Sequence, residues 1–180
     1  MKKVMFLMMS FLILLAGCSK DDPFSVPGEK VWKKVPVTKS MTVTLLSIPD
    51  LSKPHVECLP ENSHVFLSGG GSVQGNVSEI GNVVTNESQW RVNSCETGSG
   101  KGQLKESISG RITGVSGDYC TYSGTIIIDF FNNTLMGTLY IEGGSGKFYM
   151  SSGVVEIEGQ VNVSSSTCSW TGTGSITLRM

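Results

Sequence analysis

The side chains able to do chemistry are few and scattered. Cysteines stand at Cys18, Cys58, Cys95, Cys120 and Cys168, and histidines at His55 and His64. Glu156 and Glu158 lie two apart, a spacing that on a strand puts both carboxylates on one face, where they could pair for acid–base work. The same spacing suits solvent-facing residues of an outer wall, and their alternation with apolar neighbours makes that the expected role. His55 and His64 flank a proline-containing loop with Glu57 and Glu61, but neither spacing matches a metal-ligand motif, and no two cysteines sit as close as in a zinc knuckle. No Gly-x-Ser-x-Gly leads into a helix, and Ser99, inside Gly98-Ser99-Gly100, belongs to a hairpin loop. Gly69-Gly70-Gly71 lacks the Lys-Ser/Thr and the following helix of a phosphate loop. Trp32, Trp90 and Trp170 could grip a sugar or lipid at a barrel mouth, although buried packing is the expected role of so much apolar area. No catalytic, cofactor-binding or metal-ligating residue is therefore assigned, and no cofactor is expected.

The elements that would position these residues follow an N-terminal leader. Met1-Lys2-Lys3 is a positive start, Val4 to Leu15 is apolar except for Ser10, and Ala16-Gly17 supplies small residues. That order is the layout of a secretory signal, and the apolar run is short for a bilayer span. Leu15-Ala16-Gly17-Cys18 resembles the lipobox of bacterial lipoproteins. The resemblance implies a diacylglyceryl thioether on Cys18, cleavage before it, and a membrane as the partner of the acyl chains, since two or three chains anchor stably where one does not. Residues 1–17 are then the signal peptide and 18–29 a tether, with Pro23, Pro27 and Gly28 marking it as linker. Ser19-Lys20-Asp21-Asp22 resembles the acidic export signal of Bacteroidetes surface lipoproteins, and Ser19 after the cysteine resembles outer-membrane sorting. The expected location is the outer membrane, lipid-anchored, with cell-surface exposure favoured over a periplasmic face. In such a protein the sequons at Asn76, Asn86, Asn132 and Asn162 arise by chance.

The rest of the chain suits one domain with a sizeable core. Net charge is −1, and no basic block suggests nucleic acid, whose phosphates demand clustered Lys and Arg. The composition is rich in glycine, with 22 residues, and low in charge, as in β-rich extracytoplasmic proteins. Export permits disulfides, and Cys58, Cys95, Cys120 and Cys168 allow three complete pairings.

Apolar residues recur with period two, most clearly where Val155, Ile157, Val161 and Val163 alternate with Glu156, Glu158, Gln160 and Asn162. Gly159, on the apolar face, leaves room for bending or close packing. Eight such segments are expected, near 33–47, 64–75, 82–95, 102–113, 118–130, 134–142, 153–163 and 168–178. Asn132-Asn133, Ser116-Gly117-Asp118, residues 143–146 and Ser164-Ser165-Ser166 supply turns. Short connections favour an antiparallel meander, and eight strands suffice to close on themselves and remove both edges. The expected fold is all-β: a single antiparallel eight-stranded up-and-down barrel over residues 30–180, with a two-sheet β-sandwich as the alternative. In that meander Cys58, Cys95 and Cys168 fall near one rim and Cys120 near the other. A rim bridge between two of the first three is expected, with the choice among them open.

The C-terminal half resembles the allene oxide cyclase-like barrel proteins. Ile141-Glu142-Gly143-Gly144-Ser145-Gly146-Lys147-Phe148 is similar to that family's Gly-Gly-Thr-Gly, basic residue, Phe signature, with Ser145 in place of Thr. Ser151-Ser152-Gly153 sits where Ala-Thr-Gly or Ala-Ser-Gly is common, and Trp170-Thr171-Gly172-Thr173-Gly174-Ser175-Ile176 resembles the closing strand. Gly71-Ser72-Val73-Gln74-Gly75-Asn76 with Glu79-Ile80-Gly81 is similar to an upstream glycine-rich strand and turn, from which the family's His is absent. The likeness runs over about residues 65–178 and implies a barrel. It carries over no cyclase activity, because no catalytic residue of the plant enzymes matches a position here.

Two function classes follow. One is an outer-membrane or surface lipoprotein whose barrel has a non-catalytic binding or structural role, its partner a small apolar ligand, a glycan or a protein. The alternative is an enzyme acting on a small hydrophobic substrate inside the barrel. Bulky apolar filling of the interior would favour a structural role, and a cavity holding a few buried polar groups would favour the enzyme.

Overall fold

Alternating sequences of this kind fold as strands because one face can bury its apolar side chains while the other stays wet. A computed structural model describes residues 35–60, 65–98 and 102–180, all within one compact unit. The leader and tether with Cys18, together with Trp32, Glu61, His64 and Ser99, lie outside the described residues.

The described residues form eleven strands: β1 (Pro36–Pro49), β2 (His55–Glu57), β3 (Phe66–Ser68), β4 (Gly70–Val77), β5 (Gly81–Asn82), β6 (Gln89–Thr97), β7 (Gln103–Thr113), β8 (Tyr119–Asp129), β9 (Thr134–Gly144), β10 (Ser152–Asn162) and β11 (Thr167–Arg179). Among the described residues the only helical turns are two short 3-10 turns, Thr85–Glu87 and Gly146–Phe148. The main sheet runs β1-β11-β10-β9-β8-β7-β6-β4-β5, and β1 pairs with β4 as well. Eight strands therefore form a closed antiparallel ring, and the sandwich alternative falls because one continuous ladder returns to its own first strand. Antiparallel neighbours in sequence order make it an up-and-down meander; the β2–β3 hairpin, which forms its own small sheet, falls between β1 and β4, and the short β5, paired with β4, falls between β4 and β6.

Each expected segment overlaps one strand of the ring, with local differences. The segment at 64–75 divides into β3, which pairs with β2, and β4, which joins the ring. The segment at 82–95 begins with the 3-10 turn, so its ring strand starts at Gln89. Val163, expected on the inward face, lies just past the end of β10 and is exposed, because the chain has already left the ladder for a turn.

The seam between β1 and β4 depends on Gly75. Its φ is +136°, and a Cβ there would lie 2.2 Å from the Thr44 carbonyl oxygen and 3.0 Å from Leu45 Cα, so only glycine lets the two backbones close the ring. The interior is built from alternate residues of every strand. Met41, Val43 and Leu45 come from β1, Leu104, Ile108 and Ile112 from β7, Val155 and Ile157 from β10, and Ile176 and Leu178 from β11. At the rim where β1 begins, the glycine-rich stretch 143–146 leads into the second 3-10 turn, which drops Phe148 fully into the core. That rim is plugged.

Candidate functional site

The other rim is open. A cavity of about 320 Å³ enters the barrel there, lined by Trp90, Val92, Glu106, Ile108, Tyr122, Ile126, Ile157, Cys168 and Trp170 among others. Its volume sits at the small end of the ~300–1,000 Å³ range of ligand pockets. Leu51, Phe66, Phe130 and Val163, all exposed, surround the mouth, and the β2–β3 hairpin contributes His55, Leu67 and Ser68 to its wall. An eight-stranded barrel is just wide enough for its side chains to fill it or to admit one small ligand. Here bulk fills one half and leaves the other open.

Two tryptophans shape the wall differently. Trp170 sits opposite Gly159, where a Cβ would come within 2.7 Å of the Trp170 Cα and Cβ, so the glycine on the apolar face of β10 provides the space for this side chain. The Trp170 Nε1–H donates to Ser47 Oγ at 2.9 Å. Trp90 is half-buried, and its Nε1 is buried with no hydrogen-bond partner among the described residues. Tyr122 is almost fully buried and lies across Gly110, whose missing side chain makes room for the phenol.

Glu106 is the single charged residue buried among the described residues, at 4% exposure. Alternation along β7 sends Leu104, Glu106, Ile108 and Ile112 inward and Lys105 and Arg111 outward. Its carboxyl opens onto the cavity and has neither an ion pair nor a hydrogen bond among the described residues. Burial pushes its pKa up from 4.5 to about 7, as expected when a carboxylate loses water and gains no donor. Cys168 is a free, half-buried thiol on the cavity wall. Burial, and after it the Glu106 carboxylate, raises its pKa to about 11, so it holds its proton and is a poor nucleophile at neutral pH. Burial likewise raises the Tyr122 phenol.

A disulfide joins Cys58 to Cys95, with Cα atoms 4.6 Å apart. Cys95 faces Glu106 across the β6–β7 ladder. The bridge fastens the segment that follows β2 to the end of β6, and so secures the mouth hairpin. Cys120 is free and buried at the plugged end, where burial raises its pKa to about 12.

Of the residues weighed from sequence, His55, Trp90, Cys168 and Trp170 line the cavity, and the two glutamates do not. Glu156 and Glu158 point outward from β10 and are exposed, and Thr138 Oγ1 donates to Glu156 Oε2 at 2.8 Å across the outer wall. His55 is exposed at the mouth with no metal-binding group around it among the described residues. The site is thus built around a residue that motif reading passes over. The signal was present: Glu106 falls in phase with Leu104, Ile108 and Ile112, and a carboxylate in the apolar phase of a strand is unusual.

No family model matches the chain, and no curated protein and no solved structure matches it either.

Proposed function

We propose that this chain is a lipoprotein, held on the outer membrane through acyl chains on Cys18, whose barrel binds a small and largely apolar molecule in its open half. The observation that carries the reading is the one-ended cavity: apolar and aromatic walls, a plugged floor, and one buried carboxyl to orient what enters. A purely structural barrel has no use for an unpartnered buried carboxyl, which costs stability. Glycan or protein partners are less favoured, because the space is small and enclosed by hydrocarbon.

Glu106 also favours a second reading, an enzyme on a small hydrophobic substrate. A carboxyl poised near 7 is suited to acid–base work, and the resemblance of Ile141–Phe148 to the allene oxide cyclase-like barrels brings the same substrate class. Binding is the better reading because the neighbouring thiol stays protonated and no second carboxylate faces Glu106 among the described residues.

The test is native mass spectrometry of protein released gently from membranes. A co-purifying small molecule is expected in the parent and is lost in Ile108→Trp, which fills the cavity. An adduct that persists in the filled variant would place binding elsewhere. Cys18→Ser is expected to abolish membrane retention, and unchanged retention would remove the anchor from this reading.

A further inference from the structure

The chemistry of the lining narrows the ligand class further, on the reading that the cavity binds a ligand. A site selects by what it leaves unpaired as much as by what it contacts. Among the described residues no lysine or arginine lines the cavity, and the sole basic side chain on its wall there is His55, exposed at the mouth. An anionic amphiphile such as a fatty carboxylate would bring its charge toward Glu106 without a cation to meet it, a like-charge contact in a poorly solvated space. The walls instead offer aromatic side chains, Trp90, Tyr122 and Trp170 inside and Phe66 and Phe130 at the mouth. A carboxylate that shares a small cavity with aromatic side chains can recognise an ammonium group, through one charge-assisted hydrogen bond and the attraction of a cation to a π face.

We propose that the cavity binds a small amphiphilic amine, its protonated nitrogen seated on the Glu106 carboxylate and its hydrocarbon body against Ile108, Ile126 and Ile157. Two independent observations meet in this assignment. Glu106 is 4% exposed as a residue, and its carboxyl, without a partner among the described residues, opens onto the cavity. The cavity itself is closed at one end and apolar around that carboxyl. The amine supplies the missing counter-ion, so the cost of burying Glu106 is recovered only when the ligand is present. Selectivity then comes from charge and occupancy from the hydrocarbon wall.

The experiment is a calorimetric comparison at pH 8 of three probes sharing one apolar body: 2-phenylethylamine, 2-phenylethanol and phenylacetate. Tighter binding of the amine than the alcohol, by about tenfold or more, is expected, with phenylacetate weakest. In Glu106→Gln that advantage is expected to vanish while the alcohol binds as before. Equal affinity for amine and alcohol in the parent, or an amine advantage that survives Glu106→Gln, overturns the assignment but leaves the cavity as a ligand site. Failure of all three to bind up to their solubility overturns the binding reading as well. The parent protein carries the same test without touching the carboxyl. Between pH 5 and pH 8 the amine keeps its proton while Glu106 loses one, so amine affinity is expected to rise and alcohol affinity to stay level. Among the described residues the other titratable groups lining the cavity are Cys168, Tyr122 and His55. The first two remain protonated across this range, and repeating the series in His55→Gln removes the third. A flat amine profile in both proteins would overturn the assignment.

Discussion

Glu106 contributes to stability in a pH-dependent way whose direction is fixed by its surroundings. Its folded pKa is about 7 against 4.5 for a solvated glutamate. Between those values the folded chain holds a proton that the unfolded chain has released, so stability falls as pH rises. Each pH unit is worth about 1.4 kcal/mol, which makes the full loss on the order of 3 kcal/mol. Stability from this group is complete below about pH 4.5 and gone above about pH 7. Glu106→Gln removes the titration. At pH 8 the variant is expected to exceed the parent in urea-unfolding free energy by a few kcal/mol, and at pH 4 the two are expected to coincide. A parent that is equally stable relative to the variant at both pH values would mean that the carboxyl is solvated or paired in solution.

At the scale of elements, the mouth hairpin is the weak part. The β2–β3 ladder has three residue pairs, and a two-stranded hairpin of that length is at best marginal by itself. Its anchors are the Cys58–Cys95 bridge and the backbone bonds beside it, where the Leu59 N–H donates to the Cys95 carbonyl at 2.9 Å and the Thr97 N–H to the Leu59 carbonyl at 2.8 Å. The bridge spans 37 positions, for which chain-entropy loss in the unfolded state gives about 4 kcal/mol. The paired change Cys58→Ser with Cys95→Ser is expected to lower unfolding free energy by about 2–4 kcal/mol. Amide exchange is expected to accelerate in β2 and β3 well beyond any change in β10, and uniform acceleration would show that the bridge stabilises the whole ring and not the mouth.

At the scale of the whole molecule, ring closure gives every ring strand two neighbours and leaves no long edge exposed. β1 is central, since over Val43–Ser47 it pairs with β4 on one side and β11 on the other. Disturbing this seam should be felt everywhere. Gly75→Val forces a branched side chain into a φ of +136° and against the Thr44 carbonyl. A loss of about 3 kcal/mol or more is expected from strain and overpacking together. Tryptophan fluorescence and far-ultraviolet circular dichroism are expected to report one coincident transition in both proteins. A variant that kept the parent's stability would mean that the β1–β4 ladder contributes little.

The strands, their order and their inward faces are legible in the amino-acid sequence because they depend on local alternation, which a chain carries along itself. Val155, Ile157 and Val161 are buried and Glu156 and Glu158 exposed for that reason. Glu106 belongs to the same legible class, since its phase alone sends it inward. The pairing of Cys58 with Cys95 is different. A bulge between Val92 and Ser94 shifts the phase of β6, so that Val92 and Cys95 both face inward although three positions separate them. Whether the barrel is filled or open is also a tertiary property. It depends on how the bulk of Phe148, Tyr122 and Trp170 shares a fixed interior with the small Gly110 and Gly159, and side chains from opposite walls compete for that volume only once the ring has closed. Alternation decides which face a residue takes; only the closed ring decides what space remains in front of it.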